Sequence, residues 1–403
     1  IFSPLIIIFR IFKNKEDKYR FVEKFSINSK KRDNGNLIWF HGASVGEILS
    51  IIPLIKYYER KKSIKQILIT SSTLSSSRVI KKFKFKKTIH QFYPIDHFFL
   101  TNRFLEYWKP TVAIFIDSEI WPNMFTKINK KNIPLVLLNA RITQKTFKRW
   151  IKIKNYSISV FDKISIAFPQ NIETKFFLRK LNTNKINFIG NLKFAENNDE
   201  NLSKISKKLK YELNKKNIWV ASSTHAQEEI FCIKAHINLK KKIKNLITII
   251  IPRHIHRTSE IINEIKKSNL KAALHSSKPK SLKDIDFYIV DTFGETKKFH
   301  KIACSVFLGG SIIKRGGQNP LEAARYGAQI LHGPNTDNFK DVYKLLKSFN
   351  ASKVIKSSNE LALSIKFKRN SKIGNKIKII GEKILKKTIK ELNIIINNEI
   401  KKA

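Results

Sequence analysis

Short apolar runs recur along the chain, separated by stretches with helical spacing. The runs Leu37–His41, Gln66–Thr70, Thr111–Ile116, Pro134–Leu138, Lys163–Ala167 and Ile186–Ile189 have the length of strands. Between the first two, Gly46–Lys61 places Ile48, Ile51, Ile52 and Ile55 on one helical face. Strands alternating with helices predict a parallel sheet with helices on both faces. Residues 195–217 break the pattern with AENNDENLSKISKKLKYELNKKN, which is polar and charged. The alternation then restarts with Ile218–Ala221, Leu246–Ile251, Phe287–Val290, Ser305–Leu308 and Gln329–Leu331. A Lys-rich stretch, Ile373 to Ile400, predicts one or two closing helices.

The expected fold class is therefore α/β, with two Rossmann-like domains facing a cleft. An N-terminal segment covers 1–34, the first domain 35–200, the second 201–370 and a helical tail 371–403. Ligands are expected in the cleft, at the carboxyl ends of the strands.

Composition changes this picture little. The net charge is +48, from 79 Lys and Arg against 31 Asp and Glu. Lys dominates the excess and comes with abundant Ile, Asn and Phe, the residues that AT-rich codons favour. Codon drift thus accounts for much of the charge, which fits an anionic partner without naming one. Nucleic acid is not expected, because interleaved aromatic and basic surface motifs are missing. Cys232 and Cys304 lack metal-ligand spacing and sit in apolar runs, so both are expected to be inert core residues. No internal run reaches the roughly 20 apolar residues of a spanning helix. The opening IFSPLIIIFRIF reads as the end of a longer membrane anchor. An interfacial segment followed by Arg10, Lys13 and Lys15, or a helix packed on the domain, fits it equally.

Four strings carry candidate chemistry. In HGASVGE a strand ends at His41 and a helix starts near Gly46. Gly42 and Gly46 permit close backbone approach, and Glu47 falls in the first helical turn. The helix dipole lowers a carboxyl pKa at that place, whereas desolvation and anionic neighbours raise it. In DSEIWPN, Asp117 and Glu119 follow an apolar strand, and in an extended segment both would face one way. In PRHIHR, Arg253 offers a planar fork and His254 a further donor for phosphate. In GGSIIKRGGQNPLEAA, glycines lead into a helix near Pro320 whose bare N–H groups suit phosphate, with Glu322 in its first turn. Smaller pieces, DTFGE, SSTH, GNLKF and NARIT, also lie just past candidate strands, and Lys193 is the cation to single out among them.

Together these strings resemble the Kdo (3-deoxy-D-manno-octulosonic acid) transferases of lipopolysaccharide synthesis. The resemblance runs through HGASVGE, the acidic-x-Glu-x-WPN segment, NAR, GNLKF, STHxxEE, PRH, DTxGE, GGS, GGxNPLEAA and GPNTDNF, in the family's order across residues 35 to 342. It implies a GT-B glycosyltransferase moving Kdo from CMP-Kdo onto a lipid A precursor (lipid IVA), inverting and independent of metal. No cofactor beyond the donor substrate is implied. It also implies residence at the cytoplasmic face of the inner membrane, against its anionic surface. By the same resemblance, Glu47 is the general base, and Asp117 and Lys193 stabilise the transition state. Arg253, His254, Phe293, Gly294, Glu295, Asn319, Pro320, Leu321 and Glu322 bind the nucleotide. Asp117 stands where the family commonly has Glu, Gln318 where it has His, and Phe293 where it has Met. Another GT-B nucleotide-sugar transferase or epimerase is the alternative at this stage.

Overall fold

A computed structural model describes residues 9–13, 16–196 and 205–402. Most of the apolar opening Ile1–Phe12, and the middle of the polar break at 195–217, lie outside the described residues. The chain divides into two compact units, residues 1–197 with 380–403, and residues 198–379.

The first unit is built on six strands: β1 (Leu37–His41), β2 (Gln66–Ser71), β3 (Thr88–Phe92), β4 (Val112–Ile116), β5 (Leu135–Ala140) and β6 (Ile166–Pro169). All pair in parallel, in the order β3-β2-β1-β4-β5-β6. Every residue of β1, β2, β4 and β5 is buried, as expected of parallel strands covered on both faces. Trp39, Phe115 and Phe125 interlock edge to face at ring distances near 5.1 Å, with Phe104 and Trp108 beside them in the core. Burying side chains of this size stabilises the unit by about 2–3 kcal/mol each.

The second unit carries seven strands: β7 (Asn217–Thr224), β8 (Leu246–Pro252), β9 (Ala272–Leu274), β10 (Phe287–Ile289), β11 (Ser305–Leu308), β12 (Gln329–His332) and β13 (Ser352–Val354). They too are parallel, in the order β13-β12-β11-β7-β8-β10-β9. Trp219, Phe287, Phe307, Ile250 and Leu331 centre its core.

The structure departs from the sequence expectation mainly at sheet edges. β3, β9 and β13 each close an edge and were not anticipated: β3 and β13 are partly polar, and β9 is only three residues long. Ile186–Ile189 is not a strand, and Ile186 makes only an isolated bridge to Ala167. The β3 edge is capped by a 3₁₀ turn, Phe21–Phe25. There the buried Glu23 accepts from Phe92 N at 2.7 Å, and Arg20 donates to the His90 carbonyl at 2.7 Å.

The Lys-rich tail is one helix, Ser371–Lys402. Its later part belongs to the first unit, where Asn393 hydrogen-bonds Tyr57 and Tyr58. A Cβ on Gly381 would stand 2.2 Å from the Phe194 carbonyl oxygen, so glycine lets this helix press on the loop that carries Lys193. Among the described residues, no helix is long and apolar enough to cross a membrane. Cys232 is buried as expected; Cys304 is only half-buried, and both are free thiols.

Candidate active site

In each sheet the first strand has neighbours reached by chain paths running in opposite directions. The switch falls between β1 and β4 in the first unit, and between β7 and β11 in the second. Loops leaving the strands part at such a point and open a crevice beyond the carboxyl ends. Glu47 follows β1 and Asp117 follows β4, while the candidates of the second unit follow β8, β10 and β11.

In the first unit β1 runs into a capping box. The Ser44 hydroxyl donates to Glu47 Oε1 at 2.8 Å and accepts from Glu47 N at 3.4 Å, while Ala43 N donates to Glu47 Oε2 at 2.7 Å. The helix begins at Val45, one residue before the expected start. Gly46 meets open space, whereas a Cβ on Gly42 would stand 3.2 Å from the Glu47 Cβ. Of the two glycines, then, Gly42 is the one that borders Glu47. Burial, then the Asp117 charge, then Glu119, push the Glu47 carboxyl up to about 7, against the hydrogen bonds from Ser44 and Ala43. Desolvation and like charge prevail over the helix dipole.

Asp117 follows β4 with φ +57°, so the segment is a turn. The expectation that Asp117 and Glu119 share one side of an extended segment is therefore corrected. Asp117 accepts from Asn139 Nδ2 at 2.5 Å and from Lys193 Nζ at 2.6 Å, and both members of the ion pair are largely buried. Glu119 accepts instead from Trp121 Nε1 at 3.0 Å and from His41 Nε2 at 3.2 Å. Asn139, in left-handed backbone at the end of β5, also accepts from Leu192 N at 2.8 Å, tying the Lys193 loop to the same point. The structure thus gathers Glu47, Asp117 and Lys193 as the sequence reading proposed, and adds His41, Glu119 and Asn139.

In the second unit, Arg253 and His254 follow β8 and are exposed. Burial first, then the charges of His254, Arg315, Arg253 and Arg257, hold the His225 pKa below its usual value. His225 Nε2 is buried without a hydrogen-bond partner among the described residues. A Cβ on Gly310 would lie 3.3 Å from Arg315 Cβ and 3.5 Å from His225 Nε2, so these side chains close on the backbone after β11. The cluster is cationic: Arg257 is paired with Glu229 at 2.9 Å and Glu260 at 3.0 Å, and the nearby Glu228 points inward. Glu228, fully buried, accepts from the N–H groups of Gly310 (2.7 Å), Ser311 (3.1 Å), Ile312 (3.0 Å) and His225 (3.1 Å).

The leading N–H groups of the glycine-rich turn are thus engaged by the chain's own carboxylate. The expectation of a helix start near Pro320 with bare N–H groups for phosphate is corrected by the turn that follows. The helix expected near Pro320 is a single turn, Leu321–Ala324, and Leu321 N donates to Asn319 Oδ1 at 3.1 Å. Glu322 lies 4.0 Å from the Nδ1 of buried His300. After β10, Gly294 has φ +84°, Phe293 is 80% exposed, and Glu295 pairs with Lys298 at 2.7 Å. Sequence reasoning left Asn139, Glu228 and Arg315 without roles, although each lies inside a string it had singled out.

A family model described as 3-deoxy-D-manno-octulosonic-acid transferase (kdotransferase) matches residues 18–196. The 3-deoxy-D-manno-octulosonic acid transferase of Rickettsia bellii is 34% identical over 386 residues, spanning 95% of this chain and 91% of that protein. That of Rickettsia typhi is 36% identical over 358 residues, 87% of this chain and 76% of that protein. In fold, the chain is similar to a solved glycosyltransferase of Rickettsia africae, with TM-score 0.57 and 13% identity, covering 91% of this chain and 100% of that one. The two parallel sheets are those of the GT-B class. With its switch-point residues in the family's strings, and a relative matched almost end to end, the chain belongs to the 3-deoxy-D-manno-octulosonic acid (Kdo) transferases, a family of glycosyltransferases.

Proposed function

We propose that this Kdo transferase takes the sugar from CMP-Kdo and attaches it to the lipid IVA precursor of lipopolysaccharide, with inversion and without a metal ion, at the cytoplasmic face of the inner membrane. The observation that carries the reading is the Glu47 carboxyl, raised to about 7 beside an Asp117–Lys193 pair. A base works best when its pKa lies near the working pH, and this one is held there by fixed neighbours.

In the proposed step Glu47 accepts the proton of the acceptor hydroxyl. The freed oxygen pair forms a bond to the anomeric carbon of Kdo, and the bond from that carbon to the CMP phosphate oxygen breaks. The electron pair leaves with CMP, and the anomeric centre inverts. Negative charge grows on the phosphate, and Arg253 and His254, with the Arg315 and His225 they adjoin, are the groups assigned to meet it. Lys193, held by Asp117, stabilises the transition state from the first unit. Gly294 and Glu295, the exposed Phe293 ring, and the Asn319–Glu322 turn complete the nucleotide site. Side chains supply all the charge compensation in this scheme. The excess of Lys and Arg favours an anionic membrane surface.

The test is incubation of the full chain with CMP-Kdo and tetraacylated lipid IVA in chelator, followed by mass spectrometry of the lipid. Lipid heavier by one or more Kdo units is expected. No product with this acceptor, or inhibition by UDP as strong as by CMP, sinks the corresponding part of the reading.

A further inference from the structure

Behind Glu47 lies a hydrogen-bond relay that crosses three neighbouring strands. Trp39 Nε1 donates to Thr70 Oγ1 at 2.9 Å. Thr70 Oγ1 lies 2.9 Å from His41 Nδ1, and His41 Nε2 lies 3.2 Å from Glu119 Oε2. The chemistry of the ends fixes its direction. A carboxylate only accepts, so Nε2 carries the imidazole proton. Nδ1 faces both the Thr70 hydroxyl and, at 3.2 Å, the Thr70 carbonyl. With Nε2 carrying the proton of a neutral ring, Nδ1 accepts from the hydroxyl, which accepts from Trp39, and the carbonyl accepts from Gly42 N at 3.1 Å instead. His41 is fully buried, stacks on Tyr93 at 3.8 Å, and burial keeps its pKa below the usual value, so it is neutral. A neutral imidazole leaves the Glu119 charge uncancelled.

The relay joins the turn after β4, where Asp117 sits, to the end of β1, from which the Glu47 loop departs. We propose that His41 and Glu119 are positioning residues for the reaction: His41 clamps Glu119 in the turn that carries Asp117, and Glu119 acts on Glu47 through its charge without touching substrate. This rests on Glu47 being the base. The charged and titratable groups around the base are Asp117 with its partner Lys193, and Glu119. Those around Glu119 are His41 and the Tyr93 hydroxyl, with the Trp121 N–H completing its bonds. Of the three carboxylates, Asp117 therefore has a cation, which offsets its charge, whereas Glu119 and Glu47 have neutral donors, which do not.

The test compares E119Q, H41F and H41Q in the full chain. Gln at 119 still accepts from His41 and Trp121 but loses the charge. The Glu47 carboxyl, followed by carbon NMR on selectively labelled protein, should then titrate about half a pH unit lower, and the acid limb of kcat should shift with it. H41F keeps the stack on Tyr93 but cannot donate; kcat should fall about tenfold with the donor KM unchanged, and H41Q should recover part of the loss. A folded E119Q in which Glu47 titrates at its original pH overturns the proposal. So does an H41F that loses donor affinity in step with kcat. Turnover that survives Glu47→Gln removes the base itself, and the NMR titration, which needs no turnover, separates that failure from the other.

Discussion

The two switch points use the same topology for opposite electrostatics. In the first unit the crevice between β1 and β4 holds three carboxylates, and among the described residues Asp117 alone of them has a full cationic partner, Lys193 at 2.6 Å. In the second, the loops after β7, β8 and β11 present His225, Arg253, His254 and Arg315, while Glu228 turns inward to hold four backbone N–H groups. A carboxylate that accepts several N–H bonds at zero exposure is structural. One that is half-buried beside like charges, as Glu47 is, has its pKa raised instead. Residue type alone does not separate Glu47 from Glu228, but the partners do.

The largest effect that would test this contrast comes from Glu228→Ala. It orphans N–H groups in the glycine-rich turn and should destabilise the second unit by about 4 kcal/mol, read by denaturant unfolding. A loss under about 1 kcal/mol would mean that the turn holds without it. Next, Glu47→Gln should lower kcat about 100-fold, roughly 2.7 kcal/mol, while CMP binding measured by calorimetry stays unchanged. Wild-type turnover would remove the base assignment. Arg253→Ala should raise the donor KM about tenfold with a smaller change in kcat, and an unmoved KM would take it out of the phosphate site. The smallest effect is that of pH. A base with a pKa of about 7 is protonated, and so idle, below neutrality, and kcat should drop about fourfold from pH 8 to 6.5. A flat profile over that range would place the titrating group elsewhere.

Legibility followed burial. β1, β4 and β8 are continuous apolar runs because both their faces are covered, and they were found within a residue or so of their ends. β3, with His90 and Gln91 in its middle, and β13, with Lys353, carry no such run, because an edge strand pairs with a single neighbour. The site shows the same division. Glu47 was placed by its first-turn position, Asp117 by its strand end and Lys193 by its motif. Asn139 looked like one more polar residue, since nothing local reveals that it would accept from Leu192 N and donate to Asp117.

The sequence by itself determined the two α/β halves, the strings that identify a Kdo transferase, and the loops on which its chemistry lies. Those depend on local periodicity and on residues in fixed order. Only the tertiary structure decided that Asp117 pairs with Lys193 across 76 positions, that His41 clamps Glu119 across 78, and that Glu228 closes the glycine turn 82 positions away. Charge, burial and hydrogen bonding act through distance in space, and strand order, which sets that distance, is not written in any local stretch of the chain.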